Sequence, residues 1–528
     1  MNTLVSVDKL TPEQAASILQ DKQTGLREQA VTILPEKLIE LTKIAQEDPS
    51  PAVQAAALRR ISAKSALPLI FKRLASPDKF MQQAARQGLR NTLSDAELAE
   101  VFSHADPTVR LGVILLLKDS RSTPSTSLLK QALNDENPQV RFAAVEWIGR
   151  DELHDLRETL IADLASKATT PELLKAYLAA IAQLDGVMKD WTRGTTGDWW
   201  VSKSQARQQA AQLLELPETS PAVLHQILLF LPANDPALSE AKLTEFLKSE
   251  DPGLQTETVR TLRELKSDSV REKLLRLAND EATDANLRAE ALIGLDSSFA
   301  KNIEPLLKLA QDKNPIVSKE ALRTLSGATL TEVQRKRLQQ LAVADADKAA
   351  AVERIFTRQL NEKRPTRDQL AAWMQTLAGP ADSQAGQRLF FHPKGPSCFR
   401  CHQIDGRGQQ VGPGLIRSNG RIALNRERLV EAIINPSKDI DPGFLPLTIV
   451  TIDGKSASGI YHKHNNKERS IYNSQGEVIS FKINDIEEMI PSKTSIMPNG
   501  LADQMTIQEF RDLIAYLLPE AGSNCSSD

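Results

Sequence analysis

One phrase recurs from about residue 10 to 345 and restricts the fold more than any other feature of the chain. It reads SPAVQAAALRRI from Ser50, DPTVRLGVILLL from Asp106, NPQVRFAAVEWI from Asn137, DPGLQTETVRTL from Asp251 and NPIVSKEALRTL from Asn314. Weaker copies start at Ser76 and Asp284. The opening pair is a helix start. Ser, Asp or Asn accepts hydrogen bonds from the first free amides, and Pro suits the first turn because it has no N–H to leave unpaired. Apolar residues follow at helical spacing, as in Val109, Val113 and Leu116, or Val140, Ala144 and Trp147. A second helical stretch precedes each phrase, such as ALPLIFKRLA before Ser76. Adjacent copies lie 28 to 31 residues apart, measured at Val53, Met81, Val109 and Val140. One helix pair of this kind cannot bury its apolar face alone, so the pairs stack into a solenoid.

The phrase resembles the second helix of HEAT repeats in a short form, which implies an α-solenoid with a long surface for a partner. The stretch DGVMKDWTRGTTGDWWVSKSQ, residues 185–205, interrupts the pattern with Trp191, Trp199 and Trp200. It reads as a loop between repeats, either folded onto its neighbour or anchoring a partner or a sugar. Beyond the repeats, helices are expected near 346–361 and 366–377, and AGPADS reads as a boundary of breaker and capping residues. The expected domains are a HEAT-like repeat domain over 1–377, a linker over 378–382, a second domain over 383–520 and a tail over 521–528.

Composition narrows the classes further. A net charge of −3 gives no global field for nucleic acid. No run of about 18 apolar residues is present to span a bilayer. Three cysteines exclude a disulfide-stapled scaffold.

Two of those cysteines stand in CFRCHQIDGRG, where Cys398, Cys401 and His402 form C-x-x-C-H, the attachment signature of c-type haem. Two thiols one helical turn apart can each add to a vinyl group on one side of the porphyrin. The next residue then lies beneath the iron, where an imidazole can coordinate it. A zinc site would need further donors, with His462 and His464 the candidates, and a thioredoxin-type pair would need a βαβ context. A sixth iron ligand would come from Met489, Met497, Met505, His462 or His464, and Met497 stands in a Pro/Gly loop just before the last helix. Between NRERLVEAIINP and that loop, alternating segments with turns at 453–454, 465–466 and 475–477 predict a small antiparallel sheet near 444–490.

GQRLF before the motif and DLIAYL at 512–517 are similar to the crossing terminal helices of class I c-type cytochromes. In that family a Gly and an aromatic of the first helix pack on an aromatic of the last. Pro413, within GPGL, follows His402 by eleven residues, and the resemblance makes its carbonyl the acceptor for the proximal imidazole N–H. It also favours Met497 as the second axial ligand. The longer string, through LVEAIINPSKDIDPGF, TIDGKSASG and PSKTSIMPNGL, closely resembles the Pirellula-type haem-binding domain, over about residues 383–520.

The resemblance implies a mainly α chain: a HEAT-like α-solenoid followed by a class I cytochrome c domain with a β insertion. It implies one haem c, with Cys398, Cys401, His402, Pro413 and Met497 binding it and His402 and Met497 on the iron. Function would be transfer of single electrons, without catalysis, from a redox protein or dehydrogenase, such as a sugar dehydrogenase, to a respiratory acceptor. The solenoid would serve as a docking scaffold. The alternatives are a peroxidase-like haem enzyme with an open sixth position and a HEAT-type scaffold protein. Neither nucleic acid nor a membrane span is expected. Haem attachment of this kind occurs outside the cytoplasm, so a periplasmic or otherwise exported location is expected. The N-terminus lacks the basic start and apolar run of an export signal, which reads as a truncated part of a longer exported chain.

Overall fold

A computed structural model describes residues 11–120, 125–186, 206–357, 363–404, 407–409, 411–415, 425–464, 467–473 and 477–518. The Trp-bearing part of the 185–205 stretch lies outside the described residues, as do the turns at 465–466 and 475–476 and the tail beyond 518. The chain forms two compact units, one with the described residues up to 186 and 206–209, the other running from 210 onward.

Helix pairs fill the first unit. Leu41–Glu47 precedes Pro51–Leu58, Leu67–Leu74 precedes Lys79–Thr92, and Asp95–Val101 precedes Pro107–Asp119. Thr126–Leu133 then precedes Pro138–Arg150, and Arg157–Lys167 precedes Pro171–Leu184. The residues expected in the core are there: Val109, Val113, Val140, Ala144 and Trp147 are fully buried. Asp106 and Asn137 cap their helices through the side chain, as the phrase requires. Ser50 makes no such bond. The helix expected from Ser76 begins instead at Lys79, because Asp78 accepts from the amides of Phe80 and Met81. A ladder of ion pairs ties neighbouring repeats. Arg27 grips Asp48 at 2.9 and 3.0 Å, and Arg110 grips Asp135 at 2.6 and 2.8 Å. Each of these aspartates also accepts the amide two residues on, at Ser50 and Asn137, so it fixes the entrance to the next helix.

The second unit continues the repeats and adds the terminal region. Its phrase helices are α1 (Pro252–Leu262), α2 (Ala285–Ile293), α3 (Pro315–Thr324) and α4 (Ala346–Thr357). The terminal region brings α5 (Leu370–Thr376), α6 (Ser383–Phe391), a short antiparallel pair β1 (Gln403–Ile404) and β2 (Arg407–Gly408), then α7 (Arg426–Ile434). The predicted sheet follows as β3 (Pro446–Thr451), β4 (Ser456–His464), β5 (Glu468–Tyr472), β6 (Val478–Lys482) and β7 (Ile486–Pro491). It is antiparallel throughout, in the order β6-β5-β4-β3-β7, so its first and last strands lie side by side, with Leu447 opposite Pro491. The chain ends its described course in α8 (Ile507–Leu517), opened by a capping box between Thr506 and Glu509.

Helices α6 and α8 cross at Gly386, the position the sequence pattern singled out. Phe390 and Tyr516 meet edge to face with centroids 5.8 Å apart, and Trp373 meets Phe510 in the same manner at 5.6 Å. Around them Leu389, Val430, Met505, Leu513 and Ile514 complete one apolar core, with Met497 packed against it.

Candidate functional site

The core opens into a cavity of about 290 Å³ in the terminal region. Its walls are mainly apolar: Phe390 from α6, Leu429 and Ile433 from α7, and Leu513 and Leu517 from α8. Cys398, Cys401, His402, Pro413 and Met497 line the same cavity. These five span 99 positions in sequence, from Cys398 to Met497, and the fold brings them to one cavity.

Local geometry explains how the motif is held. Ser397 takes a left-handed backbone, φ 53°, and its hydroxyl donates within the turn 392–395. That turn starts the 3-10 helix Cys398–Arg400. The amide of His402 donates to the carbonyl of Cys398 at 2.9 Å. The carbonyl of Cys401 in turn accepts from Val411 at 3.0 Å and Gly412 at 2.7 Å, which folds the GPGL segment under the histidine.

The imidazole is fixed from two sides. Its Nδ1 lies 2.9 Å from the carbonyl oxygen of Pro413. A carbonyl can only accept, so Nδ1 carries the proton and Nε2 keeps its lone pair for a ligand. Gly412 lies flat on the ring: a Cβ there would stand 2.7 Å from Cε1 of His402, so no other residue fits without displacing it. Burial lowers the His402 pKa below its ordinary value, opposed by the bond to Pro413.

The thiols are equally revealing. Burial pushes Cys398 up to about 12 and raises Cys401 as well. A redox-active C-x-x-C pair needs the opposite, a depressed thiolate pKa in an electropositive setting. The thioredoxin-type alternative therefore has no support from the site. For the zinc alternative, His462 and His464 lie on β4. Among the described residues no group of three or more His, Cys, Asp or Glu side chains could hold a metal ion.

Of the methionines weighed as axial ligands, Met497 and Met505 both line the cavity, while Met489 sits in β7 opposite Ile449 and is not among the lining residues. Met505 is fully buried in the core, whereas Met497 is partly buried in its loop. The amide of Met497 donates to Ser495, whose own amide donates to Ser437, three residues past the end of α7. At the rim Arg428 pairs with Asp439, both about half exposed, and Asp441 lies beside them.

Sequence reasoning missed a second set of residues. Counting from the capping residue, the sixth position of three successive phrases is glutamate: Glu257, Glu290 and Glu320. All three are buried, and they meet arginines of the terminal region and of the repeats themselves. Arg388 approaches Glu320 at 3.3 Å, Arg407 pairs with Glu257, and Glu290 holds Arg260 and Arg263 at 2.7 and 2.9 Å. From the repeats, Arg323 and Arg354 reach Glu509 on α8 at 2.9 and 2.8 Å. The legible signal was the repeated Glu at one helical position, since the same position in the first unit holds Ala56, Ala84, Gly112 and Ala143.

Comparison with known proteins matches residues 126–150 to the HEAT repeat family, which here are the helices Thr126–Leu133 and Pro138–Arg150. The chain thus contains HEAT-type repeats, and its fold is a mainly helical α-solenoid with the added terminal region. No curated protein matches the chain. Among solved structures it is similar to an engineered protein at 18% identity and TM-score 0.28, over 60% of this chain and 98% of that one. It is also similar to Kap121p bound to Ste12p at 14% identity and TM-score 0.34, over 74% of this chain and 48% of that one. Kap121p bound to RanGTP matches at 12% and TM-score 0.29, over 67% and 52%. The chain spans about half the length of the Kap121p chains.

The HEAT match corrects the function expected for the chain. A c-type cytochrome passing single electrons from a dehydrogenase to a respiratory acceptor gives way to the alternative, a HEAT-type scaffold. The descriptions cytochrome, electron-transfer, iron and haem-binding protein gain no support from the comparisons, and neither do the redox and dehydrogenase partners. The physical reason is proportion. The haem reading drew on the terminal region alone, whereas helix pairs recur from residue 41 to 357 and the family match falls on one of those pairs. No helix among the described residues is long and apolar enough to cross a membrane.

Proposed function

We propose that the protein is a HEAT-type scaffold that binds a protein partner on its stacked helix pairs. The observation that carries this is the HEAT match on a helix pair that recurs along the repeat stack. Such a stack exposes a long, shallow surface in proportion to its core, which suits recognition rather than chemistry. The test is a chain carrying Cys398→Ala and Cys401→Ala, followed by cross-linking to its partner in cells. Retained cross-links on the repeats are expected. Loss of partner binding with the repeats still folded would overturn the reading.

A second reading concerns only the cavity, and the convergence of Cys398, Cys401, His402 and Met497 on it favours one. We propose haem c as its occupant, within a terminal region of class I cytochrome fold carrying a β insertion. Cys398 and Cys401 would attach it, His402 would offer Nε2, Met497 would supply the opposite sulfur, and Pro413 would orient the imidazole. When bound, the haem would supply an iron centre to a mainly apolar pocket. Attachment of this kind places the chain in the periplasm or another exported compartment. Mass spectrometry of protein matured in an exporting, haem-attaching host should show the covalent adduct. Free thiols at both cysteines would overturn it.

A further inference from the structure

We propose that the solenoid holds the cavity in shape, so that docking of the terminal region on the repeats and closure of the cavity are a single equilibrium. This rests on the cavity being a ligand site, but not on which ligand fills it.

Three walls of the cavity are each tied to the repeats by an ion pair with at least one buried partner, close to the lining residue. On α6, Phe390 lines the cavity, and two residues earlier Arg388 bonds Glu320 at 3.3 Å and Asn286 at 2.8 Å. In the motif loop, His402 lines the cavity, and Arg407 just beyond it pairs with Glu257 and donates to Thr261 at 2.9 Å. On α8, Leu513 lines the cavity, and one turn earlier Glu509 is held by Arg323 and Arg354. Glu290 completes the row from inside the repeats: it fixes Arg260, whose guanidinium stands 6.0 Å from the ring of Phe391.

Burial decides how such a dock behaves. Glu257 and Glu320 are 1% and 2% exposed, and Arg388 is 3% exposed. A buried pair adds little net stability, because both ions have lost their water. A buried ion that loses its partner costs several kcal/mol. Half-docked states therefore strand charges and are disfavoured against both the docked state and the fully released one. Because binding linkage is reciprocal, whatever fills the cavity tightens the dock by the same factor by which docking tightens the ligand. The glutamates are positioning residues, acting on the cavity through the arginines.

The experiment uses the full chain carrying Cys525→Ser, with N-ethylmaleimide as the probe and no haem present. Labelling of Cys398 and Cys401 is followed by mass spectrometry, and hydrogen exchange of the β3–β7 sheet is followed in parallel. Glu257→Gln, Glu320→Gln and Arg407→Gln should each raise the labelling rate about tenfold or more while the sheet keeps its protection. Glu146→Gln, on the first unit, should leave the rate unchanged. Unaltered labelling in all three variants overturns the proposal, as does labelling that rises only when sheet protection is lost too. A chain that never takes up haem would overturn the cofactor assignment and leave this result standing.

Discussion

The α-carbon of Gly386 faces the carbonyl of Asp512 so closely that a Cβ on it would lie 2.0 Å from the oxygen and 2.9 Å from the amide nitrogen of Leu513. Both neighbours are backbone, so neither can swing aside. The crossing of α6 and α8, and with it two walls of the cavity, depends on the missing side chain. Gly386→Ala should destabilise the terminal region by about 2 kcal/mol or more through overpacking. Urea titration followed by hydrogen exchange of α6 and α8 would register it, with the first unit's helices unaffected.

Cys398 and Cys401 should be poor nucleophiles in the folded chain. With Cys398 raised from 9.0 to about 12, its thiolate fraction at neutral pH falls about a thousandfold below that of an ordinary thiol. Alkylation by iodoacetamide at pH 7 should therefore be slow and should accelerate on denaturation. Rapid alkylation of the native chain would contradict the burial described here.

Stability should decline below about pH 6.5. His225, His392 and His402 are all held below their ordinary value of 6.5, in each case mainly by burial. His392 is fully buried, faced by Glu320 and Thr324 of α3 and by the positive charges of Arg323, Arg263, Arg354 and Lys394. The folded chain then binds fewer protons than the unfolded one, so stability is full above the unfolded pKa and drains away as pH falls. Glu290 and Glu509, held at about 2 against an ordinary 4.5, lose their contribution only in stronger acid. Melting temperatures between pH 8 and 5 should show the decline, and His392→Gln should flatten it.

Asp135 serves two repeats at once, pairing with Arg110 and capping the amide of Asn137. Asp135→Asn should cost about 3 kcal/mol, since it leaves a largely buried guanidinium without its counter-ion. Thermal unfolding of the variant beside Asp95→Asn, whose side chain is 54% exposed and pairs with an Arg90 that is 36% exposed, would separate a buried rung from a surface pair.

The repeats were legible because cap, proline and apolar spacing repeat in step, and each signal is local. Where two caps compete within three residues, as Ser76 and Asp78 do, the sequence pattern chose the first and the backbone chose the second. The gathering of Cys398, His402, Pro413 and Met497 on one cavity was legible for a different reason: C-x-x-C-H is a recognisable spacing, and the resemblance to class I cytochromes pointed to Pro413 and Met497. The glutamate row was not. A lone Glu on an amphipathic helix is usually solvated, and only its tertiary partner shows otherwise. Arg388 lies 68 residues from Glu320, and Arg407 lies 150 from Glu257. The corrected function has the same root, because a short chemical motif is easier to read than a broad recognition surface.

The neighbouring placement of β3 and β7 has a practical consequence. An excursion whose two ends are zipped together behaves like a handle clamped at its base. Lengthening its far tip, for instance at the exposed Asp453–Gly454 turn, changes what the handle carries without altering the gap between the loop that holds His402 and the loop that holds Met497. That turn is the natural place to graft an affinity tag or a fluorophore.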